Sequence, residues 1–236
     1  LIFGELAGLI RLGRMRRIKD EVAAALAEDD GRRAARALRM LRRRLDGRPE
    51  LAGALGRFAI HDADIMTGRE RLALADRELM APLDGQARSM IARSSKHVAM
   101  VTAVSPTALI DVLYVIYENL RMMRRVAALY GGRPGMLGLL RLGRMVITHI
   151  IVTGGLALTD DLLPQAIGQG LAARLSFRLG QGLFNGSLTA RIGCAAIAVI
   201  RPLPHLETRP PRYRELAAEV ATTLRSSAKV SPRPET

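Results

Sequence analysis

Between residues 32 and 46 leucine and arginine keep the same beat. Ala34, Leu38, Leu41 and Leu45 fall at i, i+4, i+7 and i+11, and Arg32, Arg36, Arg39 and Arg43 repeat that spacing on the opposite side. Only an α-helix separates these two sets into an apolar and a cationic face. Gly47 and Pro49 close the segment. The same period runs through 5–28, where Leu12, Met15, Ile18, Val22 and Leu26 recur at helical spacing and Gly31 breaks the chain behind them.

The rest of the sequence follows suit. Leu51, Phe58, Ile65, Leu72 and Leu79 recur every seven residues within 50–104, but their companions Ala54, His61, Gly68 and Ala75 are small or polar. This is a partial heptad rather than a coiled coil. Thr67 and Glu70 form a capping-box pattern that splits the stretch, and Pro82 with Gly85 marks a second bend. Ser105-Pro106 starts a helix that ends at Gly131-Gly132. A further helix covers about 136–153, a glycine-dense apolar region follows to 200, and "RPLPHL" excludes regular helix. Residues 212–225 form a terminal helix with Tyr213, Leu216, Val220 and Leu224 inward, and "SSAKVSPRPET" reads as disordered. The echo of "GLIRLGRM" (8–15) in "GLLRLGRM" (138–145) lacks matching flanks and is read as coincidence.

With 49% hydrophobic residues but only 3% aromatics and no Trp, the core is built from Leu, Ala, Ile, Val and Met, which suits packed helices. The expected fold is therefore all-α, an elongated multi-helix bundle with long antiparallel helices and no sheet of consequence. Its expected parts are a basic helical arm (1–104), a helical core region packed on it (105–206), and a terminal helix with tail (207–236), forming one continuous domain. The longest uncharged run, Met145 to Thr159, is shorter than the roughly 20 residues a transmembrane helix needs, so it reads as a buried helix.

Chemistry is hard to find. There is no Gly-Lys-Ser/Thr tripeptide, and "GQGLFNG" (180–186) has the wrong spacing for a dinucleotide fingerprint, so its glycines are read as points of close helix approach. His61, His97, His149 and His205 stand far apart, Asp160-Asp161 reads as a helix boundary, and Cys194 has apolar neighbours. No catalytic, cofactor-binding or metal site is expected. A lone cysteine cannot form an internal disulfide, which fits a reducing compartment. The net charge of +14 instead points to anionic partners. Nucleic acid is disfavoured, because stacking aromatics are scarce.

The stretches "AVSPTALIDVLYVIYENLRMMRRVAALYGGRPG" (103–135), "LRLGRMV" (140–146), "ARLSFRLGQGLFNGSLTARIG" (173–193) and "IRPLPHL" (200–206) resemble the YcjF-type family of bacterial inner-membrane proteins of unknown function. That resemblance implies a polar tail and a pair of membrane-spanning helices followed by a helical cytoplasmic domain. The chain opens on Leu1 and lacks such a pair, so it is read as that domain alone. The resemblance supplies no catalytic residues and implies a P-loop NTPase as a partner.

The leading expectation is thus a non-enzymatic module that binds anionic phospholipid through Arg16, Arg17, Arg32, Arg36, Arg39 and Arg43 at the inner membrane's cytoplasmic face. As a crescent-shaped, BAR-like homodimer it would sense or impose curvature. The alternative is an adaptor for the NTPase, with Tyr130, Asn185 and Arg201 at the interface.

Overall fold

The computed structural model describes residues 2–62, 67–105, 107–132, 134–153 and 171–230, with backbone alone for 2–12, 14, 108, 171–176 and 227–230. All regular structure among them is helical, as expected. In order come α1 (Ile2–Glu28), α2 (Gly31–Leu45), α3 (Ala52–Asp62), α4 (Gly68–Ala75), α5 (Ala81–Val104), α6 (Ala108–Leu129), α7 (Met136–Val152), α8 (Leu171–Ile200) and α9 (Tyr213–Val230). The chain divides into two compact units, each drawn from three stretches of the sequence. Unit 1 is Leu1–Ala87, Arg124–Leu142 and Ile197–Pro211; unit 2 is Arg88–Met123, Gly143–Ala196 and Arg212–Thr236.

In unit 1, α2 packs against α1 and α4. Asp29 ends α1 in the left-handed region (φ 48°). Asp30 then caps α2, its carboxylate accepting the amides of Arg32 (2.7 Å) and Arg33 (3.1 Å). The same turn receives α4. Arg69 N–H donates to the Asp29 carboxylate (2.8 Å), and a Cβ on Gly68 would lie 2.9 Å from the Asp30 carbonyl. Thr67 caps α4 by accepting Glu70 N–H (3.3 Å), while its hydroxyl donates to the Glu70 carboxylate (2.8 Å). Of the seven-residue series, Leu51, Phe58, Leu72 and Leu79 are all buried. Ile65 lies outside the described residues.

The bend expected at Pro82 and Gly85 falls slightly earlier and does not end the helix. Residues Asp76–Met80 form a π-turn, with Ala81 N–H reaching Asp76 O, and α5 then continues through Gly85. Pro82 has no N–H for the carbonyl four residues back and crowds it, so the widened turn ahead of it relieves both problems.

At its other end, α6 closes with a Schellman motif. Gly131 takes φ +88°, Gly132 N–H bonds Ala127 O (2.8 Å), and Gly131 N–H bonds Ala128 O (3.1 Å). Arg48 donates to the last carbonyls, Leu129 O (2.6 Å) and Ala128 O (2.9 Å), setting a cation at the negative end of the helix. The start of α6 lies at Ala108, two residues beyond the expected Ser-Pro boundary. The Ser105 hydroxyl donates to Thr107 O (3.1 Å) instead of capping the helix.

Unit 2 is built on close approach of α8 to α5. A Cβ on Gly182 would lie 2.4 Å from Ala99 O, one on Gly186 2.8 Å from Ala99 Cβ, and one on Gly193 2.6 Å from Ile91. Of the glycine-dense region, 171–200 form one 30-residue helix, whose Gly182, Gly186 and Gly193 serve as contact points; 154–170 lie outside the described residues. In α9, Leu216, Val220 and Leu224 are buried as expected, and Tyr213 lies half-buried under the Arg191 guanidinium (5.7 Å to the ring centroid). Residues 226–230, expected to be disordered, belong to that helix; 231–236 lie outside the described residues.

Candidate functional site

The arginine face of α2 forms as its spacing requires. Ala34, Ala37, Leu38, Leu41 and Leu45 are buried, while Arg32, Arg36, Arg39 and Arg43 are exposed. No ion pair joins these four side chains to any described residue. Arg16 and Arg17 on α1 are also exposed.

Tyr130 and Arg201 are not on the surface of unit 1 but inside it, at 0% and 3% exposure. The Arg201 guanidinium bonds Asp76 and donates to both oxygens of Asp84 (2.9–3.2 Å), and the Tyr130 hydroxyl donates to Asp84. Asp76, itself wholly buried, accepts the amides of Leu206, Glu207 and Thr208 at 2.8–3.0 Å through one oxygen. The π-turn supplies the carboxylate, and the loop after α8 folds onto it. Burial pushes the Asp76 carboxyl up, but Arg201 and the three amides outweigh it and hold it at about 2. Burial and the Arg201 charge push His205 below the usual histidine range. His205, Asp76 and Asp84 converge within 4.8 Å. Arg201 already meets their charge, however, and both Asp76 oxygens are engaged, so the set is a closed ion cage that does not fit a metal. Asp76, Asp84 and Thr208 gave no signal in sequence, because their meeting depends on long-range folding.

Asn185 plays a similar part in unit 2. Its amide donates to Thr102 Oγ1 (3.2 Å) and Asp111 Oδ2 (3.1 Å), and Thr102 donates to Asp111. Nearby on α6, Glu118 accepts from Ser94 (2.7 Å) and Asn119 donates to Thr189 (3.2 Å). Cys194 is half-buried, and burial pushes its thiol up to about 12, which fits its reading as inert. A cavity of about 220 Å³ between α8 and α9, lined by Leu179, Leu183, Leu224 and Arg225 among others, gathers no acid/base pair.

In the first half of α6 the carboxylates face inward and the large aliphatics outward, whereas further along Met122, Met123 and Val126 are buried and Arg121, Arg124 and Arg125 exposed. Leu109, Leu113 and Ile116 are 70%, 59% and 52% exposed, with Ile110, Val112 and Tyr117 alongside, whereas Glu118 is 3% exposed. On α7 the expectation of a buried helix holds for one face only. Leu139, Leu142, Val146 and Ile150 are buried, but Leu140, Met145, Ile147, Ile151 and Val152 are exposed. The 145–159 run reaches helix only to Val152; the rest, with Asp160-Asp161, lies outside the described residues. By length and composition one described helix could cross a membrane, Phe177–Ile200, and half of its most apolar window is buried. Sequence reading passed over it because Arg178, Arg191 and glycines interrupt every uncharged run.

Several motif residues behind the resemblance, Tyr130 and Arg201 in unit 1 and Gly182, Asn185 and Gly186 in unit 2, make internal contacts of their own unit, which is how a shared fold would be written into sequence. Residues 66–226 match a family described as a domain of unknown function, DUF697. The chain belongs to the DUF697 family. It is similar to UPF0283 membrane proteins from Bradyrhizobium diazoefficiens (45% identity, 92% of this chain, 63% of the relative) and Rhizobium etli strain CIAT 652 (42%, 95%, 62%). A UPF0283 membrane protein from Brucella anthropi is 46% identical over 89% of this chain and 59% of its own. The chain spans about three-fifths of the length of these relatives. No solved structure matches it. These matches agree with the expected kinship to bacterial membrane proteins of unknown function.

Proposed function

We propose that this DUF697 chain is a non-enzymatic module that attaches to anionic phospholipid at the cytoplasmic face of the bacterial inner membrane. The observation that carries this reading is α2, whose leucines are buried and whose four arginines stand in solvent without an ion pair to any described residue. The similarity to UPF0283 membrane proteins and the net charge of +14 support it. Each arginine near an anionic surface contributes about 1 kcal/mol, so four in contact give roughly a thousandfold in partition before ordering costs.

Co-sedimentation with vesicles of graded anionic lipid content tests the reading. The chain is expected to bind anionic vesicles and to release as salt rises. R32Q/R36Q/R39Q/R43Q is expected to bind at least tenfold more weakly. Binding that ignores both lipid charge and salt would overturn it. The same faces on a crescent-shaped homodimer would sense or impose curvature, which electron microscopy of the vesicles would reveal as tubules. For the adaptor reading, Tyr130 and Arg201 are buried, so contact with an NTPase would have to use other residues.

A further inference from the structure

We propose that the outward face of α6, from Leu109 to Tyr117, lies in the interface of the anionic bilayer with its aliphatic side chains among the lipid acyl chains. The proposal rests on the membrane-surface reading above and adds insertion to it.

Over residues 109–118 the helix is inverted. Leu109, Leu113 and Ile116 follow i, i+4, i+7 and point outward with Ile110, Val112 and Tyr117. Asp111 and Glu118, seven residues apart, lie on the inward side, held by Thr102, Asn185 and Ser94. A helix that meets water turns its charges out and its aliphatics in. One that meets hydrocarbon does the reverse, because an unpaired carboxylate there is far costlier than an exposed leucine in water.

Charge identifies the occupant. Within 109–117 the single ionisable acid is Asp111, which faces inward. Beyond Glu118 there is no Asp or Glu until Asp160, while Arg121, Arg124, Arg125, Arg133, Arg141 and Arg144 fall in between. Apolar side chains followed by an acid-free cationic stretch match acyl chains beneath anionic headgroups. Tyr117 stands at the end of the apolar face, just ahead of the first of those arginines, where a bilayer places tyrosine.

The apolar segment is short. Nine helical residues rise only about 13 Å, under half of a hydrocarbon core of about 30 Å, so the segment lies in the interface rather than across it. In the same unit, the exposed Met145, Ile147, Ile151 and Val152 of α7, beside exposed Arg144, repeat the composition.

The chain has no tryptophan, so Leu113→Trp creates a single fluorescent reporter at an exposed position. Thr222→Trp, at an exposed position on α9, serves as the control. Vesicles of mixed phosphatidylcholine and phosphatidylglycerol, with and without bromine on the acyl chains, are the probe. The expected result is a blue shift and at least twofold quenching by brominated lipid for L113W, with T222W unchanged. L113S/I116S is expected to bind normally at low salt but to lose at least tenfold in binding at about 0.5 M salt, where headgroup attraction is largely screened. If the chain co-sediments in a salt-sensitive way while L113W stays unquenched and open to aqueous iodide, insertion is wrong and headgroup binding stands. If it does not co-sediment at all, both readings fail. A blue shift of L113W that grows with protein concentration in the absence of lipid would assign the face to a second copy of the chain and overturn the proposal.

Discussion

The two units solve the same problem, a polar group in the interior, in opposite ways. Unit 1 buries the carboxylate of Asp76 and the guanidinium of Arg201 and closes them with Asp84, Thr208 and three backbone amides. It then sheathes α2 in outward arginines. Unit 2 turns Asp111 and Glu118 of α6 inward onto hydroxyls and an amide and leaves Leu109, Leu113 and Ile116 outside. Hydropathy alone does not decide burial: a polar side chain can go inside wherever the fold supplies its hydrogen-bond partner.

The largest expected effect breaks the cage of unit 1. Arg201→Met leaves the buried Asp76 and the half-buried Asp84 without their cation, which should cost about 3–5 kcal/mol in urea unfolding. Arg201→Lys keeps the charge but cannot reach both carboxylates with a planar fork, so it should lose less and not recover fully. A loss from Arg201→Met no larger than that of an exposed arginine would mean that the cage contributes nothing to stability.

Unit 2 should yield to a smaller change. Gly182→Ala puts a methyl 2.4 Å from a backbone carbonyl of α5, and α8 must shift to admit it. A loss of about 2–3 kcal/mol is expected, despite the gain of about 1 kcal/mol that alanine brings to a helix. Gly85→Ala, in unit 1, is the matched control. It meets nothing within 4 Å and lies inside α5, so the same substitution should stabilise by about 0.5–1 kcal/mol. Thermal unfolding of both variants reads the two signs directly.

These positions also mark where the sequence was legible. The division of α2 into two faces, the Thr67 cap and the Gly131 terminus rest on residues within a turn or two of each other, and local pattern reveals them. Helix α8 was missed because glycine signals a break in a lone helix and a contact in a packed one, and only the position of Ala99 tells them apart. The sequence marked Arg201, Tyr130 and Asn185 as distinctive, but their partners Asp84, Asp76 and Thr102 lie 46 to 125 residues away. Distinctive residues with unseen partners resemble an interface until the fold supplies those partners. The inversion of the first half of α6 was hidden for a related reason: periodicity gives two faces without saying which one is inside.

Acid should loosen unit 1 through Asp76. Its carboxyl is held at about 2 in the fold against an ordinary 3.8, so the stabilisation is complete above about pH 4 and is lost as pH falls toward 2. The amount is about 2 kcal/mol. Urea unfolding between pH 5 and 2 measures it against Asp76→Asn, which should be less stable at neutral pH and lose the Asp76 part of that acid dependence. An unchanged slope in the variant would place the acid sensitivity elsewhere.

The smallest expected effect separates the arginine face from the fold. Arg32, Arg36, Arg39 and Arg43 stand three or four residues apart in α2, so each repels its neighbours by a few tenths of a kcal/mol. Arg36→Gln with Arg39→Gln removes the middle two and spares the last turn, where arginine favours the helix end. Urea unfolding should therefore show a change between zero and about 0.5 kcal/mol in the stabilising direction, beside a clear loss of binding to anionic vesicles. A substantial destabilisation would mean that the two side chains hold unit 1 together. A neutral or stabilising result means the fold does not need Arg36 and Arg39, whose repulsion of their neighbours an anionic surface is the kind of partner to turn into attraction.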